Sequence, residues 1–298
     1  MALTTKPQNA KMKKTITGLL LLCLVGPLAW AQTSKVQENL TLRSKILSSD
    51  RKYAIYLPAD YETSDRSYPV LYLLHGGGDD QTGWVQFGEV KHIADKAIAD
   101  GSATPMIIVM PDANTGVRGY FNDVRGKWRY EDFFFSEFMP FIEKTYRIKP
   151  EKRFRAIAGL SMGGGGTLMY TLRHPELFSS ACALSASAGP VDIADAEVRL
   201  KRTIPDATPE EVKRYYETQN AVVLVNNMPE DQKKAVRWYI DCGDDDFLFE
   251  MNSLLHIAMR KKEIPHEFRI RDGGHTWTYW RTALPTVLSF ITDSFHQR

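Results

Sequence analysis

The chain has 298 residues, 38 of them lysine or arginine and 36 aspartate or glutamate, for a formal charge of +2. That balance, without a clustered basic face, excludes the electrostatic footprint of a nucleic-acid binder. None of its three cysteines has the spacing of a metal site.

In chain order, residues 1–31 read as a removable export signal. From Met12 the run MKKTITGLLLLCLVGPLAWAQ has a basic start, a short apolar core and an A-x-A site at Ala29-Trp30-Ala31. Cleavage is expected after Ala31, and residues 1–11 read as an upstream extension. The apolar core is shorter than the roughly 20 residues of a spanning helix. Leu22 precedes Cys23 where a lipidation signal wants a small residue. No later apolar stretch reaches spanning length, so the expectation is a periplasmic or secreted protein without a transmembrane anchor. Removing residues 1–31 takes away Lys6, Lys11, Lys13 and Lys14 and no acid, which turns the charge to −2, so the sign of the full chain says nothing about partners.

Residues 32–49 read as an N-terminal linker or first strand, and 50–298 as one large α/β domain. YPVLYLLHG, PMIIVMPD, RFRAIAG, SSACALSAS, RWYIDCGD and HEFRIRDGG are apolar runs of strand length. Between them, EVKHIADKAIADG, YEDFFFSEFMPFIEKTY, GGTLMYTLRHPELF and FEMNSLLHIAMRKKE carry helical periodicity. The alternation predicts a mostly parallel sheet with helices on both faces, and such sheets hold their reactive groups beyond the carboxyl ends of the strands. From Gly189 to Lys234 the chain is polar and helix-prone, with Thr208 as a cap and Glu210 and Glu211 in the first turn. It reads as a helical insertion over the sheet edge or the site. Cys182 and Cys242 lie at strand-like runs and read as buried thiols, with a disulfide between neighbouring strands as the alternative.

AGLSMGGGGTLMY, residues 158–170, places Ser161 between two glycines at a strand-to-helix junction. A phosphate loop would need Lys-Ser/Thr after the last glycine, where this chain has Thr167-Leu168. A dinucleotide fingerprint fails on spacing. What remains is the G-x-S-x-G elbow, which exposes the serine hydroxyl at the positive end of a helix, or a plain turn.

A serine nucleophile needs a base and an orienting acid, in sheet hydrolases in the chain order Ser, Asp/Glu, His. His275, in DGGHTWTYW, follows a strand and two glycines. His174 and His256 fall in helical stretches, and His92, His266 and His296 lack strand-end context. Asp241, Asp244, Asp245 and Asp246 crowd the exit of RWYIDC. Asp241 lies within the strand, and Asp244 and Asp245 suit a solvated turn. Asp246 begins the connection to the next helix and is preferred on that geometry. His75-Gly76-Gly77-Gly78 closes an early strand as an HGGG-type loop that supplies one oxyanion donor, the Met162 amide being the other.

These stretches, with LYLLHGGGDDQTGW, CGDDDFL and GGHTW, resemble the putative esterase (esterase D) family, and within it carbohydrate esterase family 1, the feruloyl and acetyl xylan esterases. The likeness runs from about Asp50 to the C-terminus. It implies an α/β-hydrolase fold and a triad of Ser161, His275 and Asp246, since the family's acid stands in a G-x-x-D-x-L pattern matched by Gly243 to Leu248. It implies Gly77 and Met162 as backbone oxyanion donors, and no metal or organic cofactor. Siderophore esterases, S-formylglutathione hydrolases and mycolyltransferases share the family, and an export signal speaks against the cytoplasmic thioesterase. A non-catalytic binding module on the same fold is the rival class. For substrate contacts the sequence offers His75, Trp84, Asn114, Tyr120, Trp128 and Trp277, aromatic and polar groups in loops at the reactive edge. They suit a small or polysaccharide-linked ester with a flat phenolic or sugar part. The oligomeric state is not legible.

Overall fold

Alternation makes the first strand. In the computed structural model, which describes residues 1–4, 33–114 and 119–296, Leu40 and Leu42 turn inward while Thr41 and Arg43 stay exposed. This is β1 (Lys35–Ser44), an edge strand paired antiparallel with β2 (Ser49–Leu57). Lys35–Ser44, within the stretch read as a linker or first strand, is therefore a strand of the same sheet as the strands that follow. The segment read as an export signal lies, apart from residues 1–4, outside the described residues. Among the described residues no helix is long and apolar enough to cross a membrane.

The uniformly apolar runs make the interior strands β3 (Val70–Leu74), β4 (Ile107–Pro111), β5 (Arg155–Leu160) and β6 (Ser180–Leu184), each buried along its length. β7 (Arg237–Gly243) and β8 (His266–Arg271) complete eight strands in the order β1-β2-β4-β3-β5-β6-β7-β8. β2 pairs antiparallel with β4, and every pair from β4 to β8 is parallel. Period-two geometry sends Val70, Tyr72 and Leu74 to one core and Leu71 and Leu73 to the other.

The helices cover both faces. In chain order they are α1 (Gly83–Gln86), α2 (Val90–Ala99), α3 (Tyr130–Phe133), α4 (Met139–Thr145), α5 (Met162–Arg173), α6 (Ile193–Lys201), α7 (Pro209–Gln219), α8 (Ala221–Asn226), α9 (Phe249–Lys261) and α10 (Trp277–His296). A π-helical turn, Phe134–Phe138, joins α3 to α4. α2 and α10 pack on one face through Ala94, Leu284, Val287 and Ile291. Phe133, Phe138, Leu168, Tyr170, Val225 and Leu255 fill the other. The insertion between β6 and β7 is α6, α7 and α8. Thr208 caps α7 through a reciprocal capping box with Glu211.

Cys182 and Cys242 are free and buried. Cys182 pairs in register with Tyr239, and Cys242 stands three residues further along β7, a displacement of about 10 Å. That exceeds the roughly 7 Å Cα separation a disulfide spans. Burial pushes both thiols up, Cys242 to about 12 and Cys182 well above the ordinary range. Neither thiol should react with Ellman's reagent at neutral pH in the folded protein, and both should react at once in guanidinium. Rapid labelling of the native state would show that one of them reaches solvent.

Candidate active site

Four glycines in the first turns of a helix weaken it, by about 1 kcal/mol each relative to alanine. The packing explains them. Between β5 and α5 the chain turns through Ser161 at φ 52°, ψ −115°, left-handed backbone that an L-residue holds only under constraint. The constraint is a pair of bonds to the neighbouring strand exit and one to its own helix: Ser161 N–H donates to the Leu184 carbonyl (2.9 Å), and the Ser161 carbonyl accepts from Ser187 N (3.0 Å) and, within α5, from Gly165 N (2.9 Å). The start of α5 is thereby drawn between the ends of β3 and β6. A Cβ on Gly163 would stand 2.5 Å from the Leu74 carbonyl oxygen, and one on Gly165 would stand 2.4 Å from that of Ser187. Gly163→Ala should therefore lower unfolding stability by about 1–3 kcal/mol, the range for overpacking, read from urea denaturation. An unchanged midpoint would show that the helix start has room to shift.

The three strand exits meet at this turn. His275 Nε2 lies 2.9 Å from Ser161 Oγ, and His275 Nδ1 lies 2.8 Å from Asp246 Oδ2. An ionised carboxylate only accepts, so Nδ1 carries the proton and the Nε2 lone pair faces the serine hydroxyl. Asp246 is buried. Burial works against its charge, but hydrogen bonds from His275, the Leu248 amide and the Ser185 hydroxyl outweigh it and hold the carboxyl below its ordinary value. The loops that carry the pair are laced together: Asp244 Oδ1 accepts from Gly273 N (3.1 Å), and Asp245 N donates to the Gly273 carbonyl (3.2 Å).

The rival acids have other partners. Asp241 is enclosed in the sheet, where Oδ2 accepts from Tyr239 (2.7 Å) and Arg271 (2.8 Å) and Oδ1 from the Tyr279 hydroxyl. Asp244 and Asp245 are exposed. Ser185, unmarked by any sequence motif, supports Asp246 through its hydroxyl. It is buried at φ 44°, and Trp280 Nε1 donates to its Oγ at 3.0 Å. Nothing local in LSAS marks it, because its role depends on β6 lying beside β7. Phe247 is likewise unannounced. It is 76% exposed, and its ring stands 4.5 Å from the His275 imidazole.

The glycine loop after β3 sits against the same turn, since a Cβ on Gly76 would lie 3.5 Å from Ser161 Cβ. The Gly77 amide follows it, and Met162 opens α5, where first-turn N–H groups have no intrahelical acceptor.

The six residues offered as substrate contacts divide. His75, Trp84 and Tyr120 are buried and turned inward, which replaces a ligand-binding reading with a structural one. His75 Nε2 accepts from Ala113 N (2.9 Å), Trp84 Nε1 donates to the Leu74 carbonyl (3.0 Å), and the Tyr120 hydroxyl donates to the His75 carbonyl (3.1 Å). Burial also pushes the His75 imidazole down, toward its neutral form. Trp128 packs against the core and has its indole nitrogen buried. Asn114 is exposed. Trp277 is half-buried, with Trp84 at 5.2 Å, Trp280 at 5.3 Å and Phe87 at 6.0 Å between ring centroids.

A serine on the turn after a middle strand, a carboxylate and a histidine after the last two, and helices on both faces define an α/β-hydrolase fold of the serine-hydrolase class. The chain belongs to the family described as "Putative esterase", whose sequence profile matches residues 44–291. It is similar to the endo-1,4-beta-xylanase/feruloyl esterase of Xylanibacter ruminicola, 41% identical over 260 residues. That match covers 83% of this chain but 30% of the relative, so the chain spans under a third of that relative's length. A solved ferulic acid esterase superposes with a TM-score of 0.78 at 40% identity, covering 88% of this chain and 99% of that one. A CE1 ferulic acid esterase from Anaeromyces mucronatus gives a TM-score of 0.68 at 21% identity, covering 89% and 92%, a likeness of fold.

Proposed function

We propose that the protein is an exported serine carboxylic-ester hydrolase that works through an acyl-serine, on feruloyl or acetyl esters of plant cell-wall polysaccharide. The observation that carries the reading is the 2.9 Å approach of His275 Nε2 to Ser161 Oγ, with Nδ1 held by Asp246. His275 takes the Ser161 proton as Oγ attacks the ester carbonyl. The resulting oxyanion is met by the Gly77 and Met162 amides, and each such donor is worth about 10²–10³ in rate. As the tetrahedral intermediate collapses, the C–O bond to the alcohol breaks and His275 returns the proton to the departing oxygen. Water, activated by the same imidazole, then releases the acid and restores Ser161.

The acyl class is supported by the feruloyl esterase and ferulic acid esterase activities of the relatives and by aromatic groups beside the triad. Phe247 stands exposed beside His275, and the half-buried Trp277 packs on Trp280, which meets His275 edge-on at 4.8 Å, so aromatic surface borders the triad for a flat acyl group. A panel of methyl ferulate, acetylated xylan, a ferric catecholate ester and a short nitrophenyl ester tests the reading. The expected result is highest kcat/KM on the feruloyl or acetyl substrates, with fluorophosphonate labelling of Ser161. Preference for the catecholate ester would reassign the substrate. Failure to label folded protein would favour a binding module.

A further inference from the structure

We infer that a cavity of about 160 Å³ between the loop after β4 and the insertion helices α6 and α7 is a saccharide subsite for the alcohol side of the ester. The inference rests on the ester-hydrolase reading above and adds to it a second place of contact, away from the reacting atoms. Phe121 and Asn122 form one wall, and Arg199, Thr203, Tyr215 and Gln219 the other.

Both walls lead out from the nucleophile. A Cβ on Gly119 would lie 2.8 Å from Met162 Sδ, and Phe121 is two residues on. On the far side, Ser187 N donates to the Ser161 carbonyl (3.0 Å). Two residues later Gly189 packs so closely that a Cβ there would lie 2.0 Å from the Gln219 carbonyl oxygen. Two residues of extended chain span at most about 7 Å, so Gly189, where this wall begins, lies within about 10 Å of the Ser161 carbonyl, and a saccharide chain esterified at the triad would extend past it toward the cavity.

The lining matches that occupant. A sugar ring shows C–H faces to aromatic rings and a rim of hydroxyls to donors and acceptors. Phe121 and Tyr215 supply rings. Asn122 is set in place by Asp132 (3.0 Å from Nδ2 to Oδ1), and Arg199 Nε donates to Asp195 at 2.9 Å, which offsets its charge and suits a neutral ligand. Gln219 closes the same wall beside Tyr215.

The walls are already joined. Arg125 donates to Glu211 (2.8 Å) and to Asp206 (3.0 Å), and Arg214 donates to the Val124 carbonyl (2.8 Å). The insertion therefore forms a fixed side of the cavity. Asn122 and Gln219 also line a second, more open space of about 500 Å³, which gives a path for further sugar units.

Calorimetric titration of Ser161→Ala protein with xylotetraose and with cellotetraose tests this directly. Xylotetraose should bind, and binding should be lost in Tyr215→Ala and in Thr203→Trp, which plugs the cavity without removing a core side chain. With Ser161 intact, each substitution should raise the ratio of KM for a feruloylated xylo-oligosaccharide to KM for methyl ferulate by about tenfold, with kcat on the saccharide ester held. Binding of cellotetraose instead would keep the subsite and reassign the polysaccharide. Absence of saccharide binding, or an equal KM rise on methyl ferulate, would overturn the inference. If no ester is turned over at all, the hydrolase reading fails while the titration still decides what the cavity holds.

Discussion

Ser161→Ala should lower kcat by about 10⁴–10⁶-fold on every ester the protein hydrolyses, with the folded structure kept. The reason is chemical. Oγ is the atom 2.9 Å from His275 Nε2, and without it no acyl-enzyme forms. What survives is the residual rate from the oxyanion donors and from binding. Stability should move the other way in a companion variant. Ser161 sits at φ 52°, so Ser161→Gly should relieve strain of about 1 kcal/mol and raise the thermal midpoint while remaining as inactive as the alanine variant. Turnover by Ser161→Ala protein within tenfold of wild type would place the nucleophile elsewhere.

Asp246→Asn should cost about 10⁴-fold in kcat with little change in KM. An asparagine can present N–H to His275 Nδ1, which moves the imidazole proton to Nε2 and turns a donor, not a lone pair, toward Ser161 Oγ. The same substitution has a stability signature. The Asp246 carboxyl is held below its ordinary value of 3.8, with burial opposed by its hydrogen bonds. A depressed folded-state value stabilises the fold above the ordinary value and loses that contribution as pH falls through the folded one. The thermal-midpoint gap between wild type and Asp246→Asn should thus be full at pH 6 and narrow below pH 3.8. Near-normal turnover would hand the acid role to Asp245 or Asp244, the exposed neighbours.

Helix α10 shows what a linear reading misses. Trp277–His296 contains Pro285 together with β-branched and aromatic residues of modest helix propensity, and only its GGHTW approach stood out in sequence. Its buried face, Trp280, Ala283, Leu284, Val287, Leu288 and Ile291, becomes helical because the sheet offers an apolar surface to cover. β1 was half-legible for a related reason. An edge strand covered on one side alternates softly, whereas β3 and β4 are buried on both faces and read as continuous apolar runs.

The turn at Ser161 and the order serine, aspartate, histidine were determined by sequence alone. A glycine-flanked serine after an apolar run, and polar groups just past strand ends, are local patterns whose geometry follows from a few neighbouring dihedrals. Only the tertiary structure decided which of four clustered aspartates meets His275, that Ser185 supports it, and that His75, Trp84 and Tyr120 face inward. Those outcomes depend on the register of β6, β7 and β8 and on helices distant in the chain, and side chains 29 residues apart, as Asp246 and His275 are, or 95 apart, as Ser185 and Trp280 are, leave no trace of one another in the linear order.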